Sequence, residues 1–402
     1  MHAVDPTIAT ATEPKAVATP IATARARLGS IDSVRGFVIV LMALDHVRDY
    51  YSNVHSGLLA PATTTIGIYL TRWITHLCAP TFILLAGVSA YLMSKRLTPP
   101  ELRRFLVTRG LWIIFLEMTV VVFAWTFAYD YPNGLSLQVI WAIGASMVAL
   151  AAVIHLAPAT IGAIGLIMVA GHNLLDGIEP ASFGAWAPLW NLLHVRGQVW
   201  FGFVSYPLIP WIGVMMLGYA LGKSYEYDVR WRRSLFMSIG VAALAAFALL
   251  RLNNAYGDPG PWRQGETPLM TAMSFFNVEK YPPSLLYLLV MLGIALLLLA
   301  AFESDRGWMK RLSFLQTFGR VPLFFYVLHL FLAHLSAGLL AWYMGWGTAV
   351  LTSSYRSLPA DWGLSLPWVY VAWLAVLLAL YPLCRWFAAV KRRRTDWWLS
   401  YL

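Results

Sequence analysis

The chain sets long apolar runs between short polar intervals. Ten runs stand out, over roughly 33–51, 69–94, 107–128, 136–155, 159–174, 204–222, 234–251, 283–302, 319–342 and 366–390. Most approach the ~20 residues that span about 30 Å of hydrocarbon, and none shows the ten-residue alternation of a membrane strand. The pattern predicts an all-α fold, a polytopic membrane bundle of about ten transmembrane helices. The first run is unlike the others. Within RLGSIDSVRGFVIVLMALDHVRDYY (27–51) it carries Asp32, Arg35, Asp45, His46, Arg48 and Asp49, with Ser30 or Asp32 as the expected cap. Ionisable groups in a span are costly and usually face a bundle interior or a wet cavity. Arg35 and His46 are eleven positions apart, so they share one helix face about 16 Å apart along the axis. Asp32 and Asp49 lie one turn outside them and can join that face.

Loop charge orients the bundle. Of 29 Lys and Arg residues, 20 fall on the side that holds the N-terminus and seven on the other, which places both termini in the cytoplasm. The formal net charge of +10 therefore belongs to the inner membrane face rather than to a nucleic-acid surface, and the lipid bilayer is the first partner. Residues 1–24, rich in Ala, Thr and Pro, are expected to form a disordered cytoplasmic tail, and 25–402 one transmembrane domain. Cys78 and Cys384 read as apolar packers. The long outer loops 175–203, 252–282 and 343–365 carry Trp186, Trp190, Trp200, Trp262 and Trp362, which suit either sugar stacking or interfacial anchoring.

Depth then groups the polar side chains. His46 lies about 18 Å beyond the inner end of its helix, in the outer half of the bilayer. Arg72 and His76 lie one turn apart at a similar level, and His329 is about 14 Å from Arg320, near mid-membrane. Three histidines from three helices are expected to meet, with Arg35 and Arg320 forming a second level at the inner surface. Each histidine has a plainer reading as a hydrogen-bonded packing residue. His334 is turned about 140° from His329 and faces elsewhere. Glu117 suits either pairing with the site or a structural role. Asp130, Asn133, Gln138 and Trp141 cluster before the fourth helix. No histidine pair has ligand spacing on one face, so no metal is expected, and no phosphate loop or serine elbow is present.

Asp-x-x-Arg-Gly followed by Arg-x10-His on the first helix resembles the motif of the membrane acyltransferase family 3. The wider SIDSVRGFVIVLMALDHVRDYY is similar to bacterial proteins that look like the catalytic domain of heparan-α-glucosaminide N-acetyltransferase. So are TRWITHLCAPTFILLAG (71–87), QVIWAIGASM (138–147), YPLIPWIGVMMLGYALG (206–222), KYPPSLLYLLVMLG (280–293) and GRVPLFFYVLHLFLAHL (319–335). The resemblance implies a bacterial inner-membrane enzyme that transfers acetyl from cytoplasmic acetyl-coenzyme A to a sugar or glycan on the far side. It carries the catalytic histidine onto His46. In the registration of the animal enzyme, His46 instead takes an asparagine position and His55 is the histidine candidate.

In that chemistry His46 takes the acceptor proton, with Asp45 or Asp49 orienting the ring. Arg72, His76 and His329 serve the acceptor side and the oxyanion, and Arg35 and Arg320 hold the coenzyme phosphates. The rival reading is a transporter or flippase using the same polar core, but no internal repeat is visible. The acceptor, the acyl length and homo-oligomer formation stay open at this stage.

Overall fold

The computed structural model describes residues 20–128, 135–303, 311–394 and 396–401, with side chains from Gly29 onward. The protein is an all-α polytopic membrane protein. Seven helical stretches among the described residues are long and apolar enough to cross a bilayer: Ile66–Ser94, Pro99–Thr126, Pro158–Leu175, Val229–Asn253, Leu285–Phe302, Pro322–Trp346 and Leu366–Arg393. The other three runs are helices as well. Helix α1 spans Pro20–Tyr51, long enough to cross but rich in charge, whereas α6 (Val139–Val153) and α9 (Leu208–Gly222) have only 15 residues each. The tail expected over 1–24 falls outside the described residues up to position 19. Helix α1 begins at Pro20, so neither Ser30 nor Asp32 caps it. Ser30 instead donates to Glu303 at 2.8 Å and Asp32 pairs with Arg35 at 3.2 Å.

Several runs are broken where side-chain chemistry demands it. The second divides into α2 (Ile66–Thr75) and α3 (Cys78–Ser94). Pro80 has no N–H to offer the carbonyl four residues earlier, and that carbonyl, of His76, accepts the Tyr287 hydroxyl at 2.8 Å. The third runs through α4 (Pro99–Leu116), a π-turn over Glu117–Val121 and α5 (Val122–Thr126). The π-turn presents Glu117 to α6, where its carboxylate accepts from the N–H groups of Ile140 (3.0 Å) and Trp141 (3.2 Å). It caps a helix start whose own N-cap, Gln138, makes no side-chain bond. Glu117 is therefore structural. Three short strands that the apolar pattern gave no sign of, β1 (Leu135–Leu137), β2 (Gly197–Val199) and β3 (Gly202–Val204), form a sheet in the order β1-β3-β2.

Helix α1 is the hub. Val34, Val38, Ile39, Ala43 and Val47 are buried along it, and it packs against α3, α12 (Leu285–Phe302), α13 (Phe314–Gly319), α14 (Pro322–Ala341) and α15 (Leu366–Arg393). At the α1–α13 crossing the backbones nearly touch. A Cβ at Gly36 would lie 1.9 Å from the Leu315 carbonyl oxygen, and one at Gly319 1.9 Å from that of Asp32. Those glycines adjoin Arg35 and Arg320, so this contact brings the two arginines together. The start of α1 and the end of α15 lie on the same side of the bundle, since Arg35 and Lys391 line one cavity.

On the opposite side, the end of α7 (Pro158–Gly171), α8 (Ala187–Leu193), the end of α10 (Val229–Asn253) and α11 (Pro268–Phe276) form a cap. Arg251, buried at the end of α10, fastens the segment that follows it by donating to the carbonyls of Gly260, Ser274, Phe275 and Asn277 at 2.6–3.1 Å.

Candidate active site

Two cavities meet inside the bundle. The distal one, about 370 Å³, is polar and is lined by Asp45, His46, Arg48, Asp49 and His55 of the first helix and the loop after it. Arg72, Trp125, Gln138, Arg196, Lys280, Tyr281, Tyr326 and Arg356 complete its polar wall. The cavity on the terminal side, about 400 Å³, is mostly apolar and has Arg35, Arg109, Arg320 and Lys391 at its rim. Met42, Phe82, Val139 and Tyr326 line both, so the two spaces adjoin at that collar. Arg35 and His46, one face of one helix, thus border the two halves of a single passage.

His46 Nδ1 lies 2.7 Å from His329 Nε2, and the two rings stack at 4.9 Å between centroids. The other nitrogen of His329, Nδ1, lies 3.0 Å from the Phe325 carbonyl. A carbonyl only accepts, so His329 Nδ1 carries a proton and, in the neutral ring, Nε2 accepts. His46 must then donate from Nδ1, which leaves its Nε2 unprotonated. Nε2 has no hydrogen-bond partner among the described residues, and the ring faces the distal cavity. Trp125 meets this ring edge-on at 4.8 Å, and its indole N–H is buried without a hydrogen-bond partner.

The acidic residues do something other than hold the imidazole. Asp45 accepts from Arg72 at 2.6 and 2.7 Å and from Arg48 at 2.9 Å, and Arg48 also donates to Asp49 at 2.7 Å. Neither carboxylate bonds to His46. The ring partner of His46 is His329, and the two carboxylates go to guanidiniums, which bind a carboxylate more strongly than a neutral ring does. Arg72 is held in the same network. His76 does not join the other two histidines. Its ring packs edge-on against Tyr287 at 5.7 Å and lines neither cavity, because the turn at 76–77 swings it away from the face that carries Arg72. His334 sets Nδ1 3.1 Å from the Ala124 carbonyl and Nε2 3.3 Å from the Val350 carbonyl, one of which takes its N–H, and it stacks on Tyr50 and Phe127, a packing role. His55 is exposed at the cavity wall with Nε2 3.0 Å from the Trp362 carbonyl.

At the other end of the passage, Arg35 is braced by Asp32, by the Gly319 carbonyl at 3.3 Å and by Ser89 Oγ at 3.0 Å. Arg320 reaches Asp32 at 3.7 Å. Arg109 and Lys391 join them, although both had counted only towards loop charge. Lys280 and Tyr281 were likewise unassigned at the distal end. Burial pushes the Tyr281 phenol up, but the cations of Lys280 and Arg72 and the neighbouring Tyr206 hydroxyl pull it down further, to about 8. None of the five loop tryptophans lines either cavity. Trp362 is buried and donates to the Tyr50 carbonyl at 2.8 Å, while Trp186 and Trp200 are exposed. Of the cluster expected before the fourth helix, Gln138 lines the distal cavity and Trp141 packs behind it. Asp130 and Asn133 lie outside the described residues, as do Arg306 and Lys310.

A second group of imidazoles and a carboxylate, His172, Asp176 and His194, sits in the distal cap and lines neither cavity. A family model described as heparan-alpha-glucosaminide N-acetyltransferase, catalytic, matches residues 27–254. That stretch holds His46, its arginine–aspartate network and the His172 group, whereas Lys280, Arg320 and His329 lie beyond it. No curated protein matches the chain. With more than half of its 402 residues matched, this membrane protein belongs to the heparan-alpha-glucosaminide N-acetyltransferase catalytic family.

Proposed function

We propose that the protein is a membrane acyltransferase of a bacterial inner membrane. It moves an acetyl or other short acyl group from cytoplasmic acyl-coenzyme A to a sugar or glycan on the opposite side, with both chain termini cytoplasmic and ten helices in the membrane. The observation that carries this reading is the passage itself. One end has four cations for the coenzyme phosphates, the middle is apolar and suits a pantetheine arm, and the far end has an imidazole with a bare nitrogen. Phosphates on Arg35, Arg109, Arg320 and Lys391 would make charge-assisted bonds.

The acceptor hydroxyl or amine attacks the thioester carbonyl as His46 Nε2 takes its proton. The resulting imidazolium keeps its Nδ1 proton bonded to His329. The tetrahedral oxyanion collects hydrogen bonds from the indole N–H of Trp125 and the hydroxyl of Tyr326. Collapse breaks the carbon–sulfur bond, and the coenzyme leaves as a thiol with the proton that His46 returns. Arg48 and Arg72 serve the acceptor, held in place by Asp45 and Asp49.

Labelled acetyl-coenzyme A and the purified protein test this. Acetyl transfer or slow thioester hydrolysis is expected, and His46→Ala should lower it by about 10²–10⁴-fold, with His55→Ala retaining most of it. Activity unchanged by His46→Ala, or lost instead in His55→Ala, would falsify the assignment. A transporter or flippase would show neither transfer nor hydrolysis.

A further inference from the structure

The mechanism leaves the His172, Asp176 and His194 group unused, and its arrangement is hard to explain as packing. His172 ends α7 and is 2 % exposed, yet neither of its ring nitrogens has a hydrogen-bond partner. An apolar residue would fill that position without burying two polar atoms. His194, just past α8, is 1 % exposed. Its Nε2 lies 3.0 Å from Asp176 Oδ1 and its Nδ1 is also unpartnered. One ligand atom from each of the three residues falls within 4.8 Å of the others, and the two rings stand edge-to-face at 5.9 Å.

We propose that His172, Asp176 and His194 form a binding site for a divalent cation of the zinc type. Two imidazole nitrogens and one carboxylate oxygen are a donor set that such cations take, with a fourth position left for water. Ligand atoms about 2.0–2.1 Å from a tetrahedral zinc stand roughly 3.3 Å from one another. The His194–Asp176 pair already has nearly that separation, and a ring nitrogen of His172, bonded to nothing, lies within 4.8 Å of both partners' ligand atoms. Asp176 is a third exposed, which gives the ion a way in from water. The support behind the ligands is also present. Asn173 donates to the other oxygen of Asp176 at 2.8 Å, which turns Oδ1 towards His194.

The same Asn173 accepts the N–H of Leu285 at the start of α12. The ion would therefore tie together the end of α7, the end of α8 and the start of α12. Arg196, two residues after His194, lines the distal cavity, so the cap fixes part of that wall.

The test uses the full-length protein in detergent, free of any histidine tag, stripped with a chelator and titrated with Co2+. One Co2+ per chain should bind with visible d–d bands and be displaced by Zn2+, which should also raise the melting temperature. His172→Gln and Asp176→Asn should each weaken Co2+ binding by at least about tenfold and abolish the thermal shift. No d–d bands in the wild-type protein, or equal binding by the variants, overturns the proposal. Asp176, on the exposed side of the group, keeps the test decisive if His172→Gln fails to fold. None of these readings depends on acetyl transfer.

Discussion

The carbonyl of Phe325 is an inconspicuous atom of the site, yet it determines which nitrogen of His46 is bare. By accepting from His329 it forces the second imidazole to accept from the first. His329→Phe, which keeps the stack but loses the acceptor, should lower turnover while leaving donor binding unchanged, as a pair of kinetic and titration measurements would show. The distal wall offers an independent check in Tyr281. A phenol with a pKa near 8 when folded and about 10 when unfolded ionises more readily in the folded state. Its ionisation therefore adds stability as pH rises from about 8 to 10, and that increment is absent below 8. The tyrosinate absorbance of the wild-type protein minus that of Tyr281→Phe should show a midpoint near 8. Lys280→Gln should move it upward, and a midpoint near 10 would remove the cationic wall from the argument.

At the scale of elements, the crossing of α1 and α13 fixes the donor end. A side chain at Gly319 has no room, because its Cβ would sit 1.9 Å from a backbone oxygen. Gly319→Val should force the helices apart at a cost of at least about 1–3 kcal/mol. A lower melting temperature and weaker coenzyme A binding are the expected readouts, and a variant as stable as wild type contradicts the crossing. The long helices were readable in advance, since apolar runs report burial in lipid directly, whereas the three short strands and the breaks within the runs were not. The pairing of His46 with His329 followed from depth, which needs only a constant rise per residue. His76 failed by the same measure: it is the cap residue where α2 ends, so the regular angle from Arg72 along a continuous helix does not apply to it. The partners of Asp45 were out of reach for another reason. Whether a carboxylate meets an imidazole or a guanidinium depends on which neighbouring helix supplies it, and a single helical stripe does not contain that information.

For the whole molecule, the passage matters more than either end. Met42→Trp at the collar should leave the binding of a bare adenosine 3′,5′-bisphosphate intact, because the cations lie elsewhere, while blocking acetyl transfer. Loss of both, or of neither, contradicts a route through that point. The passage was only half legible in the sequence. Arg35 and His46 lie in a sharply patterned helix, and Arg320 lies at the cap between two of them. Lys280, Tyr281, Arg196 and Arg356 arrive from loops whose folding depends on contacts far apart in the chain, such as the Arg251 bonds that fasten 260–277.

Four side chains at mid-depth have a second consequence, an electrical one. A route with openings towards both faces of an energised bilayer would carry current if water filled it without a break. Met42, Phe82, Val139 and Tyr326 line both cavities where they adjoin, with mainly apolar surface, and such a lining sheds water when nothing is threaded through it. The resting protein should therefore insulate: proteoliposomes holding it should keep a proton gradient as long as empty vesicles do. Replacing Met42 and Val139 with serine should make them leak, and coenzyme lodged there should reseal them.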